Sequence, residues 1–134
     1  MKKIKYFLSL GVAAILAMAI GITCFAAESN FSDEKKFVDS NDYTYITSAV
    51  KDDVSSTPEV KITAIYDANK NDSNYKQIYV KGTSLGTGVL VTKGSWVEVP
   101  IPSGSSIKGN NILLYGKGHN PSLDCYVSGY WNVH

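Results

Sequence analysis

The sequence predicts an all-β protein: a small antiparallel β-sandwich of about seven short strands, placed after an N-terminal signal peptide. Three observations predict it. Beyond Tyr43, apolar residues recur with a period of two. Clusters of Gly, Asn, Asp, Ser and Pro interrupt that alternation at short intervals. No window of eleven or more residues after Tyr43 carries the spacing of an amphipathic helix.

Residues 1–26 read as an export signal. Lys2, Lys3 and Lys5 form a positive start, Phe7 to Ile22 is an uncharged apolar run, and Cys24 and Ala26 are small residues placed for cleavage after Ala26. The run approaches the length of a membrane span, so a retained anchor is the competing reading. A lipoprotein acylated at Cys24 is disfavoured, because Gly21 stands where that signal wants an aliphatic residue and Thr23 where it wants a small one. The expected location is therefore extracellular, with no membrane span in the mature chain. Cleavage removes Cys24 and leaves Cys125 as the lone cysteine, so an internal disulfide is excluded and stability must come from a packed core.

Residues 27–42 are polar and acidic, with Phe31, Phe37 and Val38 as their only large apolar side chains, and read as a flexible arm. Ser32-Asp33-Glu34-Lys35 within it has the composition of a short helix start. Residues 43–134 form the expected domain. Tyr43–Thr47 is aromatic and β-branched. Val60–Tyr66 places Val60, Ile62, Ala64 and Tyr66 on one face by strict alternation. Tyr75–Lys81 and Thr87–Thr92 follow, the latter with Val89 and Val91 together. Trp96–Ile101 groups Val97, Val99 and Ile101, and Asn111–Tyr115 and Cys125–Trp131 complete the set. Lys93-Gly94 between two strands predicts a tight hairpin. Pro100 and Pro102 cannot donate to a ladder, which places their strand at an edge or a bulge.

All 13 basic residues are lysines. Without the bidentate guanidinium fork, and with a formal net charge of +1, nucleic acid is not the expected partner. Residues 27–74 carry a net −5 and residues 75–134 a net +3.

The closing Val127-Ser128-Gly129-Tyr130-Trp131, together with Ser56-Thr57-Pro58-Glu59-Val60-Lys61-Ile62 and the Lys93-Gly94-Ser95 turn, resembles a family of small exported Gram-positive proteins of unknown function. Members usually continue the tail with acidic residues, whereas this chain ends Asn132-Val133-His134. In size, export and fold class such proteins look like the lactococcin-type secreted bacteriocins. The resemblance implies a secreted, non-enzymatic protein that acts on a cell-envelope component; the alternative is a carbohydrate-binding module.

The chemistry-bearing residues are few. Cys125 with a histidine would make a nucleophile pair, but alternation puts it on the face of Val127, Gly129 and Trp131, where a cysteine is a small buried apolar residue. His119, Asp124 and His134 lack the spacing of a metal site. Asp67-x-Asn69-x-Asn71 matches the first half of a calcium loop, but Asp72 stands where that loop needs glycine and Ile78 where it needs glutamate, so a turn is the better reading. Gly86-Thr87-Gly88 lacks the strand–helix context of a phosphate loop. Glu98 and Asp124 are the only acids after residue 75, too few for a paired-carboxylate hydrolase. No cofactor is expected, and monomer and dimer both stay open. The aromatic supply is the strongest signal. Tyr75, Tyr79, Trp96, Tyr115, Tyr126 and Tyr130 are the candidate ligand-binding residues, able to line a sheet face and stack on sugar rings. Trp131 alternates with Cys125 and Val127 and is assigned to the core.

Overall fold

A computed structural model describes residues 28–52, 55–120 and 124–134. The signal peptide expected at residues 1–26 lies outside the described residues. Two antiparallel sheets pack face to face, and the described residues contain no α-helix.

The first sheet, sheet A, holds β1 (Glu28–Asn30), β2 (Lys36–Val38), β4 (Glu59–Tyr66), β7 (Trp96–Glu98) and β9 (Cys125–Asn132). Its order is β1-β9-β4-β7, with β2 following β1 along the same flank of β9. Sheet B is β3-β8-β5-β6, built from β3 (Thr44–Val50), β8 (Asn111–Gly118), β5 (Gln77–Gly82) and β6 (Val89–Thr92). Inward residues of both sheets form one core: Val60, Ile62, Ile65, Val127 and Trp131 from sheet A face Ile46, Ile78, Val80, Val91, Ile112 and Leu114 from sheet B. Trp131 ties the layers together, because its indole is fully buried and its Nε1 donates to the Ile112 carbonyl at 3.1 Å.

The all-β sandwich is as the alternation predicts, with nine strands among the described residues where seven are expected. The extra two come from the stretch expected to be an arm. Phe31 and Val38 are buried in the core, Phe31 exchanges backbone hydrogen bonds with Gly129, and β1 and β2 pair with β9. Ser32–Lys35 is a turn, not a helix start: the Ser128 hydroxyl donates to the Glu34 carbonyl beneath it. The acidic side chains point to solvent while two apolar ones anchor the segment, so its average composition hides its packing.

Three further expectations are corrected. In β4 the register slips between Ile62 and Ala64, so Val60, Ile62 and Ile65 turn inward and Tyr66 turns out. One extra residue in a strand reverses the parity of everything after it. Gly129 sits against this bulge, where a Cβ would fall on the Lys61 carbonyl oxygen. The Lys93-Gly94 turn is not a hairpin. It carries the chain from β6 in sheet B to β7 in sheet A, with Gly94 at φ +93° and its N–H donating to the Ile62 carbonyl of β4 at 2.8 Å. That bond commits β7 to the edge of sheet A, and the strand ends at Glu98, before Pro100 and Pro102, rather than running to Ile101. Finally, β8 runs to Gly118 rather than stopping at Tyr115, and the extra turn of alternation brings Lys117 onto the sheet surface.

Candidate functional site

The outer face of sheet B is built from a local rule. Tyr79-Val80-Lys81 in β5 and Tyr115-Gly116-Lys117 in β8 each place a tyrosine and a lysine two residues apart, hence on one face. Val80 and Gly116 point into the core. Because β5 and β8 are antiparallel, Tyr79 lies opposite Lys117 and Lys81 opposite Tyr115. The result is a checkerboard in which each lysine has tyrosines as its neighbours.

Tyr45 extends it from β3, opposite Tyr115, their rings meeting edge to face at 6.3 Å. Leu90 of β6 stands opposite Tyr79 and His119 packs edge-on against it at 5.3 Å. Tyr43 lies over the centre: Lys81 Nζ is 4.5 Å and Lys117 Nζ 5.3 Å from its ring centroid, and the two reach Tyr115 and Tyr79 at 5.9 Å each. Its hydroxyl occupies the space over Gly88, where any side chain would collide with it. Burial, then the neighbouring Tyr79, pushes the Tyr43 phenol above its ordinary 10.0. Lys81 is further held by donation to the Ser84 carbonyl at 2.8 Å.

Charge distinguishes the two sheets. None of the four strands of sheet B contains an aspartate or glutamate. Among the described residues neither Lys81 nor Lys117 is paired with a carboxylate. Asp39 and Asp42 both precede Tyr43 in the sequence, and one Asp39 oxygen is taken by the N–H groups of Asn41 and Asp42 at 2.6 and 3.2 Å. Sheet A by contrast carries Glu28, Glu59 and Glu98 in its strands.

The six aromatic residues singled out in the sequence are distributed over three places. Tyr79 and Tyr115 are in the checkerboard. Trp96 and Tyr130 pair on the outer face of sheet A with centroids 6.3 Å apart, across Lys61. Tyr126, on the same face, packs edge-on against Phe37 at 5.5 Å beneath Lys70. Tyr75 packs against the core at the end of the sandwich. Tyr43, Tyr45, Lys81 and Lys117 are not among those six; the repeated Tyr-x-Lys is the sequence signal for the lysines, and the aromatic Tyr43-Thr44-Tyr45 run the signal for the two tyrosines.

The other candidates have structural work. One oxygen of Asp67 accepts from the N–H groups of Asn69 and Asn71 at 2.9 Å each, closing the β4–β5 turn around Lys70 at φ 64°. Asp124 accepts from the Ser40 N–H at 2.9 Å, pinning the segment after β2 to the start of β9. His134 lies beyond the far end of β9, and no three His, Cys, Asp or Glu side chains gather among the described residues. His119 and Cys125 do line one small apolar cleft of about 80 Å³, with Ile65 and Tyr75. Burial, with Asp124 adding to it, pushes the Cys125 thiol up to about 11, the reverse of what a nucleophilic thiolate needs.

That shift carries a stability prediction. The unfolded thiol ionises near 9.0, whereas the buried one holds its proton to about 11. Below pH 9 the thiol contributes its full share; as pH rises toward 11 the unfolded state gains by losing the proton first, and that share is lost. Urea unfolding of the wild type and Cys125→Ala across pH 8–11 should show the wild type losing on the order of 2 kcal/mol more than the variant over this window.

Comparisons with family models, curated proteins and solved structures return no match for the chain. Among the described residues no helix is long and apolar enough to cross a membrane.

Proposed function

We propose that the protein is exported and works outside the cell without catalysis, as a bacteriocin-like or otherwise cell-envelope-directed binding protein whose working surface is the outer face of sheet B. The observation that carries this reading is the checkerboard itself. A face needed only to cover the core has no use for four tyrosines interleaved with two lysines that lack acidic partners. Rigid aromatic rings offer large contact area at low entropic cost, and they stack on sugar rings or on a partner surface. The protonated Cys125 and the dispersed acids and histidines agree with a non-catalytic role.

Purified exported protein should be retained on isolated Gram-positive cell walls and should inhibit growth of Gram-positive cells. Tyr79→Ala/Tyr115→Ala should weaken retention at least tenfold while the protein stays folded, since both half-buried rings lie on the outer face and not in the core. Equal retention of wild type and double variant would remove sheet B from the account.

The second reading, a carbohydrate-binding module, draws on the Trp96–Tyr130 pair. Trp96 is 46% exposed, an unusual position for an indole, and its ring is tilted against that of Tyr130. Loss of glycan retention on Trp96→Ala, with Tyr79→Ala/Tyr115→Ala unaffected, would move the site to sheet A.

A further inference from the structure

We propose that the checkerboard of sheet B selects polyanionic sugar chains, with sugar rings lying on Tyr45, Tyr79 and Tyr115 and carboxylate or phosphate groups paired with Lys81 and Lys117. This rests on the reading of sheet B as the binding face and names the chemical class of its ligand.

The argument is one of donors and acceptors. A neutral sugar presents hydroxyl groups that must donate as well as accept, and a site for it needs carboxylates or free amides to receive those protons. The four strands hold no carboxylate, and the two amides of this face, Gln77 (whose Nε2 donates to the Thr92 hydroxyl at 3.1 Å) and Asn111, lie outside the square of Tyr79, Lys81, Tyr115 and Lys117. What the square offers is two ammonium groups that only donate and phenols that donate as well as accept, an excess of donors and positive charge that matches a ligand rich in acceptors and negative charge.

The spacing fits a chain rather than a lone ion. Lys81 and Lys117 stand on diagonal sites of an antiparallel pair, which puts their backbone positions roughly 7–8 Å apart and spreads the two positive charges along the face. Tyrosine rings fill the other two corners of the same square, so charge and stacking surface alternate across the face. The rings also hold the lysine heads in place through cation–π contact without neutralising them. Both heads share the Tyr43 ring, which lies over the square and fixes where they stand.

Equilibrium binding of the full chain to three probes tests this: polygalacturonate, its fully methyl-esterified form, and inorganic polyphosphate. The proposal expects polygalacturonate to bind at least tenfold more tightly than either other probe and to weaken as salt is raised. Lys81→Gln/Lys117→Gln should abolish the preference over the ester, and Tyr79→Ala/Tyr115→Ala should weaken binding to both sugar probes. Equal binding of acid and ester overturns charge selection while leaving the binding face intact. Equal binding of polyphosphate overturns sugar recognition. No binding to any probe overturns the proposal, and if cell-wall retention is then also indifferent to the tyrosines, the reading of sheet B falls with it. All four substituted side chains lie half-buried on the outer face, outside the core, and a cooperative far-UV circular dichroism melt verifies that the variants fold.

Discussion

Replacing Trp131 with alanine is expected to cost about 4 kcal/mol, enough to leave much of the population unfolded at 37 °C in a domain of ordinary stability. The indole is 0% exposed and sits where β9 of sheet A meets β8 of sheet B. Its removal opens a void between the layers that the surrounding β-branched side chains, each fixed in its rotamer by the sheet, cannot close. It also strips the Ile112 carbonyl of its indole donor. Trp131→Phe keeps an aromatic ring across the layers while losing the N–H and part of the indole's volume, and should cost less, about 2 kcal/mol. Urea denaturation followed by far-UV circular dichroism measures both. An alanine variant within 1 kcal/mol of wild type would mean that the layers are not joined through this residue.

The second large effect is expected at Gly129. A methyl group there would fall on the Lys61 carbonyl oxygen, 3.1 Å from the Ile62 Cα, and the atoms in the way are backbone, not the end of a side chain that can swing aside. Relief comes only from prying β9 away from β4, where the bulge between Ile62 and Ala64 brings the two strands closest. Gly129→Ala should therefore cost about 3 kcal/mol and lower the melting temperature by roughly 15 °C. Gly94→Ala is the contrast. Nothing lies within 4 Å of a Cβ there, and the loss comes from its positive φ alone, about 1 kcal/mol.

These two positions mark how far the sequence alone could be read. Trp131 is legible as core, because Cys125, Val127 and Gly129 alternate with it without interruption. Tyr66 is not, because the bulge at residue 63 leaves no mark in the composition of β4: every residue from Val60 to Tyr66 suits a strand, and only the partner across the ladder reveals the slip. The Lys93-Gly94 turn has the residues of a hairpin, yet the bond from Gly94 to Ile62 turns the chain into the other sheet. A two-residue pattern specifies the turn's dihedrals, not which sheet the next strand joins. Phe31 and Val38 were outvoted by the acidic residues around them, although two buried side chains are enough to hold a segment of this length.

The candidate site was half legible for the same reason. Tyr79 and Tyr115 are visible as aromatic strand residues, and the Tyr-x-Lys repeat is present in both segments. That the two tripeptides form one square follows only from β5 pairing with β8, strands separated in sequence by β6, β7 and the loop after them. Tyr126, Tyr130 and Trp96 have equal aromatic character and lie on the opposite side of the sandwich. Alternation says which residues share a face of one strand; it does not say which strands share a sheet.

The account stands on sheet B presenting its tyrosines and lysines to a ligand. Backbone and side-chain NMR of the labelled protein, titrated with soluble fragments of Gram-positive cell wall, tests it most directly. Shift changes should concentrate at Tyr43, Tyr45, Tyr79, Lys81, Tyr115 and Lys117, with Phe37, Tyr126 and Tyr130 silent. Changes confined to the outer face of sheet A, or none at saturating fragment, would contradict it.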